Sequence, residues 1–135
     1  MLNTELLGQA NLLIKKRDYD SAEKIYLELL AQNPNNDIVQ AFLGRLYIRQ
    51  RKYKGAEHIL EKAYNQRKTA PTIAALAFCK FQLKKFDEAV IFYEELFKYD
   101  HDSVKIFAKI IDAFRSLEMY FKGTEIYFQT TEIIC

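Results

Sequence analysis

The sequence predicts an all-α protein, an α-solenoid of four helix–turn–helix units with about eight helices. Three observations predict it. A ten-residue phrase recurs four times: RDYDSAEKIY from Arg17, RKYKGAEHIL from Arg51, KKFDEAVIFY from Lys84 and MYFKGTEIYF from Met119. The ring within it falls at Tyr19, Tyr53, Phe86 and Phe121, at spacings of 34, 33 and 35 residues. Finally, 135 residues contain four Gly and two Pro, which leaves few places to turn and favours helices joined by short loops.

The units follow in order along one domain spanning residues 1–135. The first covers residues 3–36, with Ala10 in its leading helix and Ala22 three residues after its ring. The second, 37–69, opens at NPNND (33–37), a run of N-cap residues. Its leading helix carries the stripe Phe42, Leu43, Leu46, Tyr47, and its second helix the stripe Ala56, Ile59, Leu60, Ala63, Tyr64. Both follow the spacing of one buried helical face. The third, 70–104, opens at TAPT (69–72), a cap followed by a helix-starting Pro. It repeats the second stripe at Ala89, Phe92, Tyr93, Leu96 and Phe97. The fourth, 105–135, opens at DHDS (100–103). Each phrase is thus a turn plus the start of a second helix.

Small residues recur for a mechanical reason. Helices joined by a tight turn cross closely only where neither side chain is bulky, as at Ala10 with Ala22 and Gly44 with Ala56. The fourth unit departs from this rule, with Asp112 and Thr124 at the crossing and Thr131 and Glu132 interrupting the last stripe. Stability in a repeat array sums unit and interface contributions, so this end is expected to be the softest. The final TTEIIC leaves Phe128, Ile133 and Ile134 uncovered. The expectation is either a fragment of a longer protein or a homo-oligomer formed through this end.

Composition narrows the function classes. Half the residues are apolar and 28% charged, the balance of a folded domain. The net charge of +2 does not point to nucleic acid. No apolar run is long enough to span a membrane, no secretory leader is visible, and the two cysteines, Cys79 and Cys135, form no CxxC motif. A cytoplasmic location is expected. Catalysis finds little support: His58 and His101 have no second ligand at metal-binding spacing, Cys79 sits at a core register shared with Leu12, Leu46 and Phe114, and no Gly-rich loop cradles a phosphate. The expectation is no enzyme, no metal and no cofactor.

On its 34-residue period, its turn aromatics, its small residues and the Pro at Pro34, the chain resembles a tetratricopeptide repeat (TPR) array over residues 3–135. The resemblance implies a non-catalytic protein–protein interaction scaffold or adaptor. It further implies that the solenoid is right-handed and that its leading helices line a concave groove for a peptide or helix. Carried over by position, the groove holds Leu7, Asn11, Ile14 and Lys15, then Ala41, Arg45, Ile48 and Arg49. Ala74, Phe78, Phe81 and Gln82 come next, and Lys109, Ala113 and Leu117 complete it. Two readings compete there. In one, Phe78 and Phe81 pack the third helix pair and the arginines are solvated. In the other, Arg45 and Arg49, one turn apart, catch a carboxylate while the two rings take an apolar anchor. The expected partner is therefore a protein or peptide carrying acidic and large apolar residues.

The family's two-carboxylate clamp for chaperone tails would fall on Leu7, Asn11, Phe42, Pro71 and Ala75, where Asn11 alone matches. That ligand is not expected. A dedicated chaperone of a secretion or motility component is an alternative within binding functions. RNA binding through RLYIRQRKYK (45–54) is an alternative of another class, weakened because Tyr47 and Tyr53 occupy buried registers. The basic excess also does not persist: residues 1–68 hold 12 basic and 8 acidic residues, residues 69–135 hold 8 and 10.

Overall fold

The computed structural model describes residues 3–99 and 104–122, in seven helices and no strand among those residues. They are α1 (Thr4–Lys15), α2 (Tyr19–Gln32), α3 (Asp37–Arg49), α4 (Tyr53–Gln66), α5 (Ala70–Gln82), α6 (Phe86–Tyr99) and α7 (Val104–Lys122). Each helix packs on the next in the chain, and α3 also touches α5, as in a stacked array of hairpins.

The capping residues explain where the helices start. Asn3, Asp18 and Asn36 accept backbone N–H bonds from the first turns of α1, α2 and α3, and Thr69 does so for α5, which carries Pro71 in its first turn. α4 has no side-chain cap, because Lys52 stands where Asp18 stands one unit earlier. The DHDS opening of the fourth unit lies outside the described residues.

The turns inside the first three hairpins are identical in bonding. Arg17, Arg51 and Lys84 adopt left-handed backbone, with φ of 61°, 60° and 63°. The N–H of each donates to the carbonyl three residues back (3.0 Å), and the next N–H donates five residues back (2.8 Å). This is the Schellman ending, usually made with Gly. Here long cations occupy the left-handed position despite a cost of about 1–2 kcal/mol for an L-residue.

The fourth unit does not repeat it. The expected turn at Met119 and Tyr120 is absent: α7 runs unbroken to Lys122. Where the first three units write charged pairs before the ring, this one writes Leu117-Glu118-Met119, good helix formers that extend the helix rather than end it. Thr124, Phe128 and the expected eighth helix lie outside the described residues, as does Cys135.

The core runs through the array in contiguous clusters. Ala10, Ala22, Ala56, Ala77 and Ala89 are fully buried at the expected crossings, and Gly44 is buried against Leu60. Cys79 is fully buried, as its register predicts. Leu12 and Phe114, at the same register, are 58% and 50% exposed, since α1 and α7 are the outermost described helices. Leu7 and Ala113, assigned to the groove by position, are instead buried in the core. Their small or inward-tilted side chains fit between packed helices rather than over the hollow.

One charge is buried at a core register. Lys80, only 3% exposed, stands where earlier units place Leu13 and Tyr47. Its ammonium pairs with Glu57 (2.8 Å) and Glu61 (2.7 Å) of α4 and Glu88 (3.3 Å) of α6. Lys85 adds a second pair to Glu57 at 2.9 Å. Burial alone would raise the Glu57 pKa, but the bonds from Lys80 and Lys85 outweigh it and hold the carboxyl below its usual range. The network ties three helices together across two units.

Candidate functional site

The leading helices α1, α3, α5 and α7 open onto one hollow. Its middle is a cleft of about 430 Å³ lined by Arg45, Ile48, Arg49, Pro71, Ala74, Ala75, Phe78 and Lys109. At one end Arg45 and Arg49 also wall a cavity of about 120 Å³ with Asn11, Ile14, Tyr26 and Phe42. At the other, Phe78 and Lys109 share a second space of about 120 Å³ with Phe81, Gln82, Tyr93 and Asp112. The three spaces adjoin, with these shared residues standing between them.

Eight of the nine candidate residues meet there: Asn11, Arg45, Ile48, Arg49, Phe78, Phe81, Gln82 and Lys109. Lys15, in the last turn of α1, is exposed and lines none of these spaces. Helical geometry accounts for the rest. Arg45 and Arg49 are one turn apart on α3, and Phe78 and Phe81 three residues apart on α5, so each pair shares a face.

The electrostatics of the hollow are lopsided. Arg45, Arg49 and Lys109 are exposed and take part in no ion pair among the described residues. The carboxylate lining the hollow is Asp112, at the far end from Arg45. The rings serve two purposes at once. Phe78 meets Tyr53 edge-on at 6.1 Å and Phe81 meets Phe86 edge-on at 5.3 Å, yet each keeps a partly open face toward the hollow.

Tyr26, Pro71 and Ala75 are lining residues that sequence reasoning did not assign as groove. Tyr26 belongs to a second helix, and its register says only that it is core; nothing in the spacing distinguishes a buried ring whose hydroxyl reaches a cavity. Pro71 and Ala75 stand at clamp positions whose residue types they do not match, and spacing gives no other reason to place them in the groove.

Among the described residues, the other candidates for chemistry are packed in the structure or open to solvent. His58 is exposed on α4, and among the described residues no three His, Cys, Asp or Glu side chains converge as a metal site. Burial pushes the Cys79 thiol up to about 12, with Glu57 adding to the rise and Lys80 opposing it, so it stays protonated. In the 45–54 segment, the Tyr47 hydroxyl donates to Glu23 at 2.8 Å and the Tyr53 ring packs on Phe78. Among the described residues no helix is long and apolar enough to cross a membrane. His101 lies outside the described residues.

Stacked helical hairpins whose leading helices share a hollow define an α-solenoid of the TPR type. Residues 15–96, more than half the chain, match the family model described as "Anaphase-promoting complex, cyclosome, subunit 3", and the chain belongs to this family. No match was found among curated proteins. Among solved structures, the first TPR of Spaghetti (RPAP3), bound to the HSP90 peptide SRMEEVD, is similar with a TM-score of 0.79 and 20% identity, over 84% of this chain and 91% of that one. The Sgt2 TPR domain from Aspergillus fumigatus gives 0.78 at 19% identity, over 90% and 83%. MamA AMB-1 gives 0.77 at 20% identity, over 94% and 70%. At these identities the likeness shows the fold.

Proposed function

We propose that the chain is a non-catalytic protein-interaction module that holds a peptide or helix of a partner protein in the hollow of its leading helices. One observation carries the reading: the cations Arg45, Arg49 and Lys109, unpaired among the described residues, line one cleft with the half-open ring Phe78, and Phe81 lines the space next to it with Phe78 and Lys109. Unpaired guanidinium groups favour carboxylates, and a partly desolvated aromatic wall favours a large apolar anchor. The suited ligand therefore sets acidic residues next to large apolar ones. The acidic peptide on the RPAP3 repeat supports peptide capture as the class of activity. Its ligand is not carried over, because Leu7, Phe42, Pro71 and Ala75 replace four of the five clamp positions.

Fluorescence anisotropy tests the reading directly. Synthetic peptides pairing Glu with Leu or Phe are compared with the same peptides carrying Lys in place of Glu. The acidic set should bind, and Arg45→Glu with Arg49→Glu should weaken it about tenfold or more at unchanged helicity, as loss of a charge-assisted contact requires. Equal affinity for both peptide sets, or for both protein forms, rules the reading out.

A further inference from the structure

We infer that the cavity at the α1–α3 end of the groove is a seat for a side-chain oxyanion of the bound peptide, held by Tyr26, Asn11, Arg45 and Arg49 together. The inference deepens the proposed function by naming the group that enters this end, but its chemistry can be tested without any peptide.

The lining is a donor set facing apolar walls. A phenol, a carboxamide and two guanidinium groups meet Ile14, Phe42 and Leu46 around about 120 Å³, and no carboxylate takes part. That space suits one small charged group rather than a ring or a chain segment. Apolar walls lower the local dielectric and strengthen each hydrogen bond made inside.

Tyr26 is the second, independent observation. It is 1% exposed, its ring stacked on Phe42 at 6.1 Å and 20°, and its hydroxyl makes no hydrogen bond among the described residues. The hydroxyl is not among the fully enclosed unpartnered polar atoms, so it keeps its narrow access on the side of the cavity, where it is free to donate to a guest. Arg45 and Arg49 add a like-charge repulsion at i, i+4 spacing. An arriving oxyanion accepts from the phenol and neutralises the two guanidinium groups, which removes that repulsion. Burial raises the Tyr26 pKa and Arg45 draws it partly back, so the phenol remains a donor at neutral pH.

The test is titration of the whole chain with sodium phosphate, and separately with sodium acetate, at constant ionic strength, followed by two-dimensional NMR. Saturable shifts centred on Asn11, Arg45 and Arg49 are expected. Arg45→Gln should weaken binding about tenfold or more. Tyr26→Phe should weaken it about tenfold or more, the worth of one hydrogen bond to a charged group. The same variant should keep or raise the melting temperature, because the lost hydroxyl had no protein partner. A merely structural Tyr26 would do the reverse, lowering the melting temperature and leaving anion affinity unmoved. Phosphate ahead of acetate identifies a phosphorylated side chain as the ligand group, and acetate ahead identifies Asp or Glu; either supports the seat. Diffuse shifts reproduced by chloride, or saturable binding untouched by both variants, overturn it. Peptide binding that needs Arg45 and Arg49 but is unchanged by Tyr26→Phe overturns the seat and leaves the peptide groove standing.

Discussion

At Gly44 the second hairpin leaves no room for a β-carbon: one built there would press on the Leu60 side chain, with Cδ2 at 2.6 Å and Ile59 Cγ2 at 3.2 Å. Leu60 is fully buried and has nowhere to retreat. Gly8, on the exposed face of α1, would meet nothing within 4 Å. The two glycines should therefore respond oppositely to alanine. Gly8→Ala should gain about 0.5–1 kcal/mol from helix propensity alone. Gly44→Ala gains the same propensity but forces an overpacked crossing, for a net loss of about 1–2 kcal/mol. Urea denaturation of both variants checks the pair; equal and same-signed changes would contradict the packing at the crossing.

Among the elements, α4 begins least well. Lys52 has nearly the backbone of Asp18 (φ −92°, ψ 70° against −89°, 74°) but offers no acceptor to the first-turn N–H groups of α4. Its cation also sits at the positive end of the helix dipole. Its ammonium lies 6.0 Å from the Tyr47 ring centroid, too distant to offset a missing cap. Lys52→Asp should stabilise the chain by about 1 kcal/mol, read as a rise in thermal midpoint, and Lys52→Ala by much less. The contrast between the turn at Lys84 and the continuous α7 belongs to this scale too. The same period is written in both places, but a left-handed ending forms only where the local residues do not favour further helix.

Across the whole molecule, stability should be greatest between about pH 5 and pH 9. Glu57 is held below its ordinary value of 4.5 in the fold, so its contribution is present above that pH and is lost as pH falls through the lowered value. Cys79 is raised from 9.0 to about 12, and Tyr47, Tyr64 and Tyr93 from 10.0 to about 12, chiefly by burial. For these groups the stabilisation is complete below the unfolded values and disappears as pH climbs toward 12. Urea midpoints measured from pH 3 to pH 11 should form a plateau with falling limbs on both sides. An acid limb that survives unchanged in Glu57→Gln would remove the Lys80 network as its cause.

Much of this protein was written locally. The period, the paired amphipathic stripes, the caps at Asn36 and Thr69 and the small crossings depend on residues near one another in sequence, so they could be read from it. So could most of the groove, since helical spacing alone puts Arg45 beside Arg49 and Phe78 beside Phe81. What required the tertiary structure was whatever depends on a neighbour from another unit. Lys80 became a buried cation because α4 and α6 bring three carboxylates to it. Leu7 and Ala113 left the groove because adjacent helices cover them. Tyr26 became more than a core ring because Asn11, Arg45 and Arg49, from two other helices, close a cavity around it. A repeat tells each helix which face to bury, whereas the partners waiting on that face are set by the stacking of different units.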